Sequence, residues 1–146
     1  MEMEIEKKFL VSDVPFDLAK LEKKIIEQGY LNQKPVVRIR RSNDKYYMTY
    51  KGEGLMEREE YNLPLNEEAY NHLLSKCDGH IIKKTRHIIP IENDLVVELD
   101  VFDYPKGLVM AEVEFPDIET ANSFNPPSWF IKEVTEDPKY HNVNMI

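Results

Sequence analysis

The 146 residues contain a single cysteine, Cys77, which excludes an intramolecular disulfide and fits a reducing compartment. Glycine is scarce too, with five residues, and Gly52-x-Gly54 lacks the lysine and hydroxyl of a P-loop, so it reads as a turn. No apolar run approaches the roughly 18 residues of a membrane span. The opening Met1-Glu2-Met3-Glu4-Ile5-Glu6 alternates acidic and apolar residues and is unlike a secretory signal. Positive charge is short as well: 19 Lys and Arg face 27 Asp and Glu, a net charge of −8. A field of that sign repels nucleic acid and anionic membrane, so neither is an expected partner. A 42% hydrophobic share is enough to bury a core. The expectation is a cytoplasmic protein with one domain over residues 1–146 and a small-molecule partner, as a monomer or homodimer.

What is abundant is alternation of period two. Over residues 2–11, Glu2, Glu4, Glu6 and Lys8 share one face, and Met3, Ile5, Phe9 and Val11 take the other. Runs 36–42 and 45–51 repeat the pattern across Asn43-Asp44, a tight-turn pair. Others lie at 57–63, 81–91, 94–103 and 107–116, and Glu133-Val134-Thr135 is a candidate for a short eighth strand. Helical spacing appears at Leu18, Leu21 and Ile25, which predicts a helix over 17–29 ending at Gly29. Asn66 and Asp117 are N-cap candidates for helices over 66–77 and about 117–124. The pattern predicts an antiparallel α+β protein.

The polar faces of the strands carry the information. In phase along them stand Glu4, Glu6, Glu60, Glu98, Asp100, Glu112 and Glu114, and Lys8, Arg38, Arg40, Lys51, Arg58, Lys84 and Arg86. One Glu-x-Glu on an open sheet is ordinarily solvated surface, where cross-strand ion pairs contribute little. In-phase charged pairs on six strands are a different matter. If the sheet curls into a barrel of about eight strands, these groups line a lumen wide enough for a small ligand. So many ions cannot stay dry, because each costs several kcal/mol to desolvate, and the lumen must be wet and occupied. Clustered carboxylates suit Mg²⁺ or Mn²⁺, and clustered Arg and Lys suit phosphate oxygens. His72, His80, His87 and His141 show no metal-ligand spacing and are expected at the surface. Cys77 is expected to be a packed thiol and Trp129 a packing anchor.

Glu4-Ile5-Glu6-Lys7-Lys8 resembles the E-x-E-x-K signature of the CYTH, or triphosphate tunnel metalloenzyme, family. Further landmarks follow in order: Gln28-Gly29-Tyr30, Arg38-Ile39-Arg40, Lys51-Gly52, Arg58-x-Glu60, Lys84-Thr85-Arg86, Glu98-Leu99-Asp100 and Glu112-Val113-Glu114. A C-terminal block from Trp129 to Thr135, then Tyr140 and Asn142, completes the series. Asn62 departs from it, standing where many members carry an acid. The resemblance implies an eight-stranded antiparallel closed β-barrel, a tunnel with a charged lumen and helices packed outside. It implies metal at Glu4, Glu6, Glu112 and Glu114, with Glu98 and Asp100 as further acidic lining. It implies that Arg38, Arg40, Lys51, Arg58, Lys84 and Arg86 cradle phosphates, with Lys8 at the substrate or its attacking water. Lys8, Arg40 and Lys84 are the residues expected nearest the chemistry. The implied activity is metal-dependent hydrolysis of a triphosphate, inorganic tripolyphosphate being favoured. The alternatives are an adenylate cyclase of the same family and a non-catalytic module that binds polyphosphate or nucleotides.

Overall fold

The computed structural model describes residues 2–146. In chain order it has β1 (Glu2–Val11), β2 (Lys23–Asn32), β3 (Val36–Ser42), β4 (Lys45–Lys51), β5 (Glu57–Leu65) and α1 (Glu67–Leu74). Then come β6 (Asp78–Pro90), β7 (Val96–Tyr104), β8 (Val109–Glu114), α2 (Ile118–Ser123) and β9 (Phe130–Glu133). The strands join in the order β5-β4-β3-β2-β6-β7-β8-β1-β9, all antiparallel, and β5 also pairs with β1. That last pairing closes an eight-stranded barrel. β1 makes the closure by splitting its length: Met3–Ile5 pair with β5, whereas Phe9–Val11 pair with β9. No helix among the described residues is long and apolar enough to cross a membrane.

Two expectations need correction. The predicted helix over 17–29 is a single 3₁₀ turn at Leu18–Lys20 followed by strand β2. The helical spacing of Leu18, Leu21 and Ile25 is incidental, since Ile25 is 53% exposed, while Ile26, Gln28 and Tyr30 are buried at period two. Gly29 is a close-approach point instead of a cap: a Cβ there would lie 2.6 Å from the Cys77 sulfur. The eighth stave of the barrel is therefore β2. The short strand expected at Glu133-Val134-Thr135 instead runs Phe130–Glu133, leaving Val134 and Thr135 outside it, and lies beside β1.

The other two helices form where their caps predict. The Asn66 side chain accepts from the Ala69 N–H at 2.7 Å, and Asp117 accepts from Thr120 at the same distance. α1 lies over β3 and β4, where buried Tyr70 packs on Tyr46 and donates its hydroxyl to Glu27 of β2. The main core is formed by outward faces of the wall: Ile5, Phe9, Leu99 and Val113 pack with Ala121 of α2 and with Trp129. A second cluster gathers Tyr30, Val36, Ile82, Phe102 and Met110, and the segment 140–146 packs on it through Tyr140, Val143, Met145 and Ile146. Those last residues bring the chain's end against the cavity described next.

Candidate active site

Alternation places the even-numbered residues of β1, β3, β5, β6, β7 and β8 on the lumen side, and the odd-numbered ones of β4. They enclose a cavity of about 330 Å³. Every site residue nominated from the sequence lines it except Asp100. Going round the wall, the acids fall on β7, β8, β1 and β5, as Glu98, Glu112, Glu114, Glu4, Glu6 and Glu60. The bases fall on β4, β3 and β6, as Lys51, Arg38, Arg40, Lys84 and Arg86. Lys8 and Arg58 sit among the acids. The lumen thus has an acidic arc and a basic arc facing each other.

Most of the cations are already matched. The Lys8 ammonium lies 2.8 Å from Glu112 and 3.3 Å from Glu6. Burial would depress it, but those two carboxylates overrule burial and raise its pKa. Lys51 contacts Glu4 at 2.8 Å and Glu60 at 3.5 Å, and Arg58 reaches Glu4 at 3.6 Å. Arg86 is the hub: its Nε and one Nη grip both oxygens of Asp100 at 2.8 and 2.9 Å, and the guanidinium also reaches Glu98 and Glu112 at 3.2 Å. Lys84 lies 2.7 Å from Asp100. Burial pulls the Lys84 ammonium down to about 7, with Arg86 and Arg40 adding to the effect against the pull of Asp100.

Asp100 departs from its expected place. It is 1% exposed and commits both oxygens to Arg86 and Lys84, so it is a fixture of the wall behind the lining. In-phase spacing with Glu98 gave its face but not its depth. The histidines need correction as well. His72 and His80 are at the surface, but His87 and His141 are buried. His141 lines the cavity and donates its ring N–H to the Thr135 carbonyl at 2.8 Å. Cys77 fits its expected packing role, with burial pushing the thiol up to about 11.

Two cations stand apart. Among the described residues, Arg38 and Arg40 have no carboxylate within ion-pair distance, although both are buried and line the cavity. Arg38 donates one bond, to Thr49 at 3.2 Å, and its buried Nε has no partner. Arg40 Nε donates to Gln28 at 2.8 Å, and burial together with Arg38 and Arg86 lowers its pKa. Buried donors without partners are rare, and two adjacent forks of this kind suit an anion. Sequence reasoning did not nominate Tyr30, Tyr47, Asn62, His141 or Asn142, all of which line the cavity.

The acidic arc has the converse imbalance. No trio of its carboxylates stands at ligation distance among the described residues. Glu114, however, the exposed member of the arc, has no cationic partner there, and partial desolvation with the charges of Glu4, Glu6, Glu98 and Glu60 pushes it up to about 7. The unfolded carboxyl titrates near 4.5, so the folded state holds an extra proton between those values. The associated stability is therefore present below the unfolded value and is lost as pH rises through about 7. Glu114→Gln is expected to match the parent in metal-free urea unfolding near pH 4.5 and to exceed it above pH 7. Parallel midpoints across that range would refute this.

A closed antiparallel barrel whose lumen sets two carboxylate-free guanidiniums opposite an arc of carboxylates is suited to hold a small, highly charged anion. The chain belongs to the CYTH domain family, whose profile matches residues 2–140. It is 36% identical over 143 residues to an inorganic triphosphatase of Nitrosomonas europaea, covering 95% of this chain and 93% of that protein. It is 40% identical over 153 residues to an inorganic triphosphatase of Acetivibrio thermocellus, covering 100% and 94%. A crystal structure of an inorganic triphosphatase superposes with a TM-score of 0.71 at 34% identity, covering 99% of this chain and 94% of that one.

Proposed function

We propose that this chain hydrolyses a triphosphate, inorganic tripolyphosphate in the first instance, in its barrel lumen with a divalent metal. The observation that carries the reading is the pair of buried, carboxylate-free guanidiniums, Arg38 and Arg40, facing an arc made of carboxylates. The names of its full-length relatives support it.

Phosphoryl transfer asks for charge neutralisation and in-line positioning more than for covalent help. Arg38 and Arg40 are the first-call phosphate ligands, because nothing must be displaced to free them. Lys8, Lys51, Arg58, Lys84 and Arg86 extend the cradle, held in place by their carboxylate partners. As the terminal P–O bond breaks, negative charge grows on the leaving pyrophosphate. Arg40 and Lys84, buried at fixed positions, stabilise that charge without reorganising. Lys8, anchored between Glu6 and Glu112, keeps its proton throughout and acts as an electrostatic clamp.

Glu4, Glu6, Glu98, Glu112 and Glu114 are the residues that would hold Mg²⁺ or Mn²⁺. They are hard oxygen donors, and the raised Glu114 reports a negative surplus that a divalent cation would neutralise. Asp100 is not in the set, since it is 1% exposed and does not line the cavity. When bound, the metal supplies Lewis-acid neutralisation of phosphate oxygens.

The test is product release from tripolyphosphate and ATP with Mg²⁺ and with Mn²⁺. The expected result is metal-dependent phosphate release from tripolyphosphate, absent in Glu112→Ala/Glu114→Ala. Cyclic AMP and pyrophosphate from ATP with tripolyphosphate left intact would overturn it in favour of a cyclase. Tight tripolyphosphate binding without any product would overturn it in favour of a binding module.

A further inference from the structure

One side of the cavity is built by the segment after β9. Residues 138–146 make two consecutive 3₁₀ turns, Pro138–Tyr140 and Asn142–Asn144. They are fastened on three counts. Tyr140, Val143, Met145 and Ile146 pack on the apolar cluster of Tyr30, Val36, Ile82, Phe102 and Met110. The His141 ring is tied to the Thr135 carbonyl. Gly79 admits the chain so closely that a Cβ there would meet Ile146 at 2.9 Å.

This fastening delivers one polar side chain into the lining. Asn142 is 8% exposed, and its Oδ1 accepts from the Lys84 ammonium at 2.8 Å and from Gln28 Nε2 at 3.2 Å. Gln28, fully buried, spends its own Oε1 on Arg40 Nε at 2.8 Å and its Nε2 also on the Tyr30 hydroxyl at 3.2 Å. Asn142 therefore joins two cations of the basic arc that are far from it in sequence. The bond count explains what this achieves. An ammonium has three donors. Lys84 gives one to Asp100 and one to Asn142, and the third has no hydrogen-bond acceptor among the described residues, the Phe102 ring centroid lying 5.2 Å from the nitrogen. Asp100 alone would leave the ammonium free to swing about a single contact, whereas a second fixed acceptor sets the direction of the third N–H. That acceptor is neutral, so it orients the charge without cancelling it.

We propose that Asn142 is a positioning residue: its carboxamide oxygen aims the Lys84 ammonium, and through Gln28 the Arg40 guanidinium, at the bound phosphate chain. This rests on the triphosphatase reading above.

The test is a double-mutant cycle of Asn142→Ala and Lys84→Met, read in tripolyphosphate affinity by calorimetry without added metal and in turnover with metal. Asn142→Ala is expected to lower kcat about 10- to 100-fold while KM changes far less, because the fault is in alignment. In the Lys84→Met background the same substitution is expected to cost much less than in the parent, in kcat and in metal-free affinity alike, since only the Arg40 branch remains. Asn142→Asp, nearly isosteric, keeps the shape and neutralises Lys84, so it is expected to weaken tripolyphosphate binding by about tenfold or more. Additive losses in the cycle, a kcat for Asn142→Ala near that of the parent, or unchanged affinity in Asn142→Asp would each overturn the proposal. Should the parent bind tripolyphosphate with the expected coupling and release no phosphate, the hydrolase reading falls and the positioning role stands.

Discussion

Arg86→Ala is expected to destabilise the protein by about 3–5 kcal/mol, the loss that follows when one partner of a buried ion network is removed. Arg86 holds both oxygens of Asp100 and reaches Glu98 and Glu112, and Asp100 is 1% exposed and Glu112 6%. Alanine would leave two buried carboxylates with only Lys84 and Lys8 beside them. Urea unfolding at neutral pH measures the effect. Its pH dependence has a definite sign. Burial alone would raise the Asp100 and Glu112 carboxyls, but Arg86 and Lys84 at Asp100, and Lys8 and Arg86 at Glu112, hold both below their ordinary values. The stability they carry is present above the unfolded carboxylate range and is lost as pH falls through it to the folded values. The gap between parent and variant must therefore be widest at neutral pH and narrow on acidification. A loss below about 1 kcal/mol at pH 7 would show that the network is not desolvated as its burial indicates.

A network of this kind is not the cheapest way to stabilise a barrel. Well-packed apolar residues in place of a buried ion cluster are often as stable or more so. What apolar residues cannot do is hold cations at fixed positions around a small anion. The lining is better understood as preorganised charge, with folding energy spent to keep it in place.

The same fact explains what was legible in the sequence. A wet lumen filled with ions writes a period-two charged face onto each contributing strand, so Arg38-Ile39-Arg40 and Glu112-Val113-Glu114 disclose their orientation directly. β2 contributes no such pair. Its inward, buried positions are Ile26, Gln28 and Tyr30, of which Tyr30 alone lines the cavity, its outer face carries Glu27 and Gly29, and Leu18, Leu21 and Ile25 imitate a helix that runs into its first residues. Asp100 was assigned the right face, but whether a carboxylate lies in the lining or behind it depends on side chains from β6. His141 and Asn142 lie in a segment with no periodicity. They reach the cavity through tertiary docking, Asn142 meeting Lys84 across 58 residues and Gln28 across 114. Local pattern carries no record of such contacts.

Arg40→Ala and Arg38→Ala are expected to show the reverse of Arg86→Ala: little change in stability and a large loss of activity. Neither guanidinium has a carboxylate partner, and for Arg40 burial, Arg38 and Arg86 all disfavour the charged form in the folded protein. Removing such a cation relieves repulsion and orphans no buried carboxylate, only the Gln28 Oε1 in Arg40→Ala, so the urea midpoint is expected to fall far less than in Arg86→Ala. Turnover of tripolyphosphate is expected to fall by about 10²–10³-fold, as when one preorganised donor is taken from a site of developing charge. The loss belongs mainly in kcat, since the ground-state polyanion still meets the other arginine of the pair together with Lys8, Lys51, Arg58, Lys84 and Arg86. Lysine at either position restores a point charge but not the planar fork, and is expected to recover only part of the rate. Steady-state kinetics beside unfolding curves for the same preparations decide the matter. Turnover within about threefold of the parent for both alanine variants would mean that the unpaired guanidiniums are not where leaving-group charge develops.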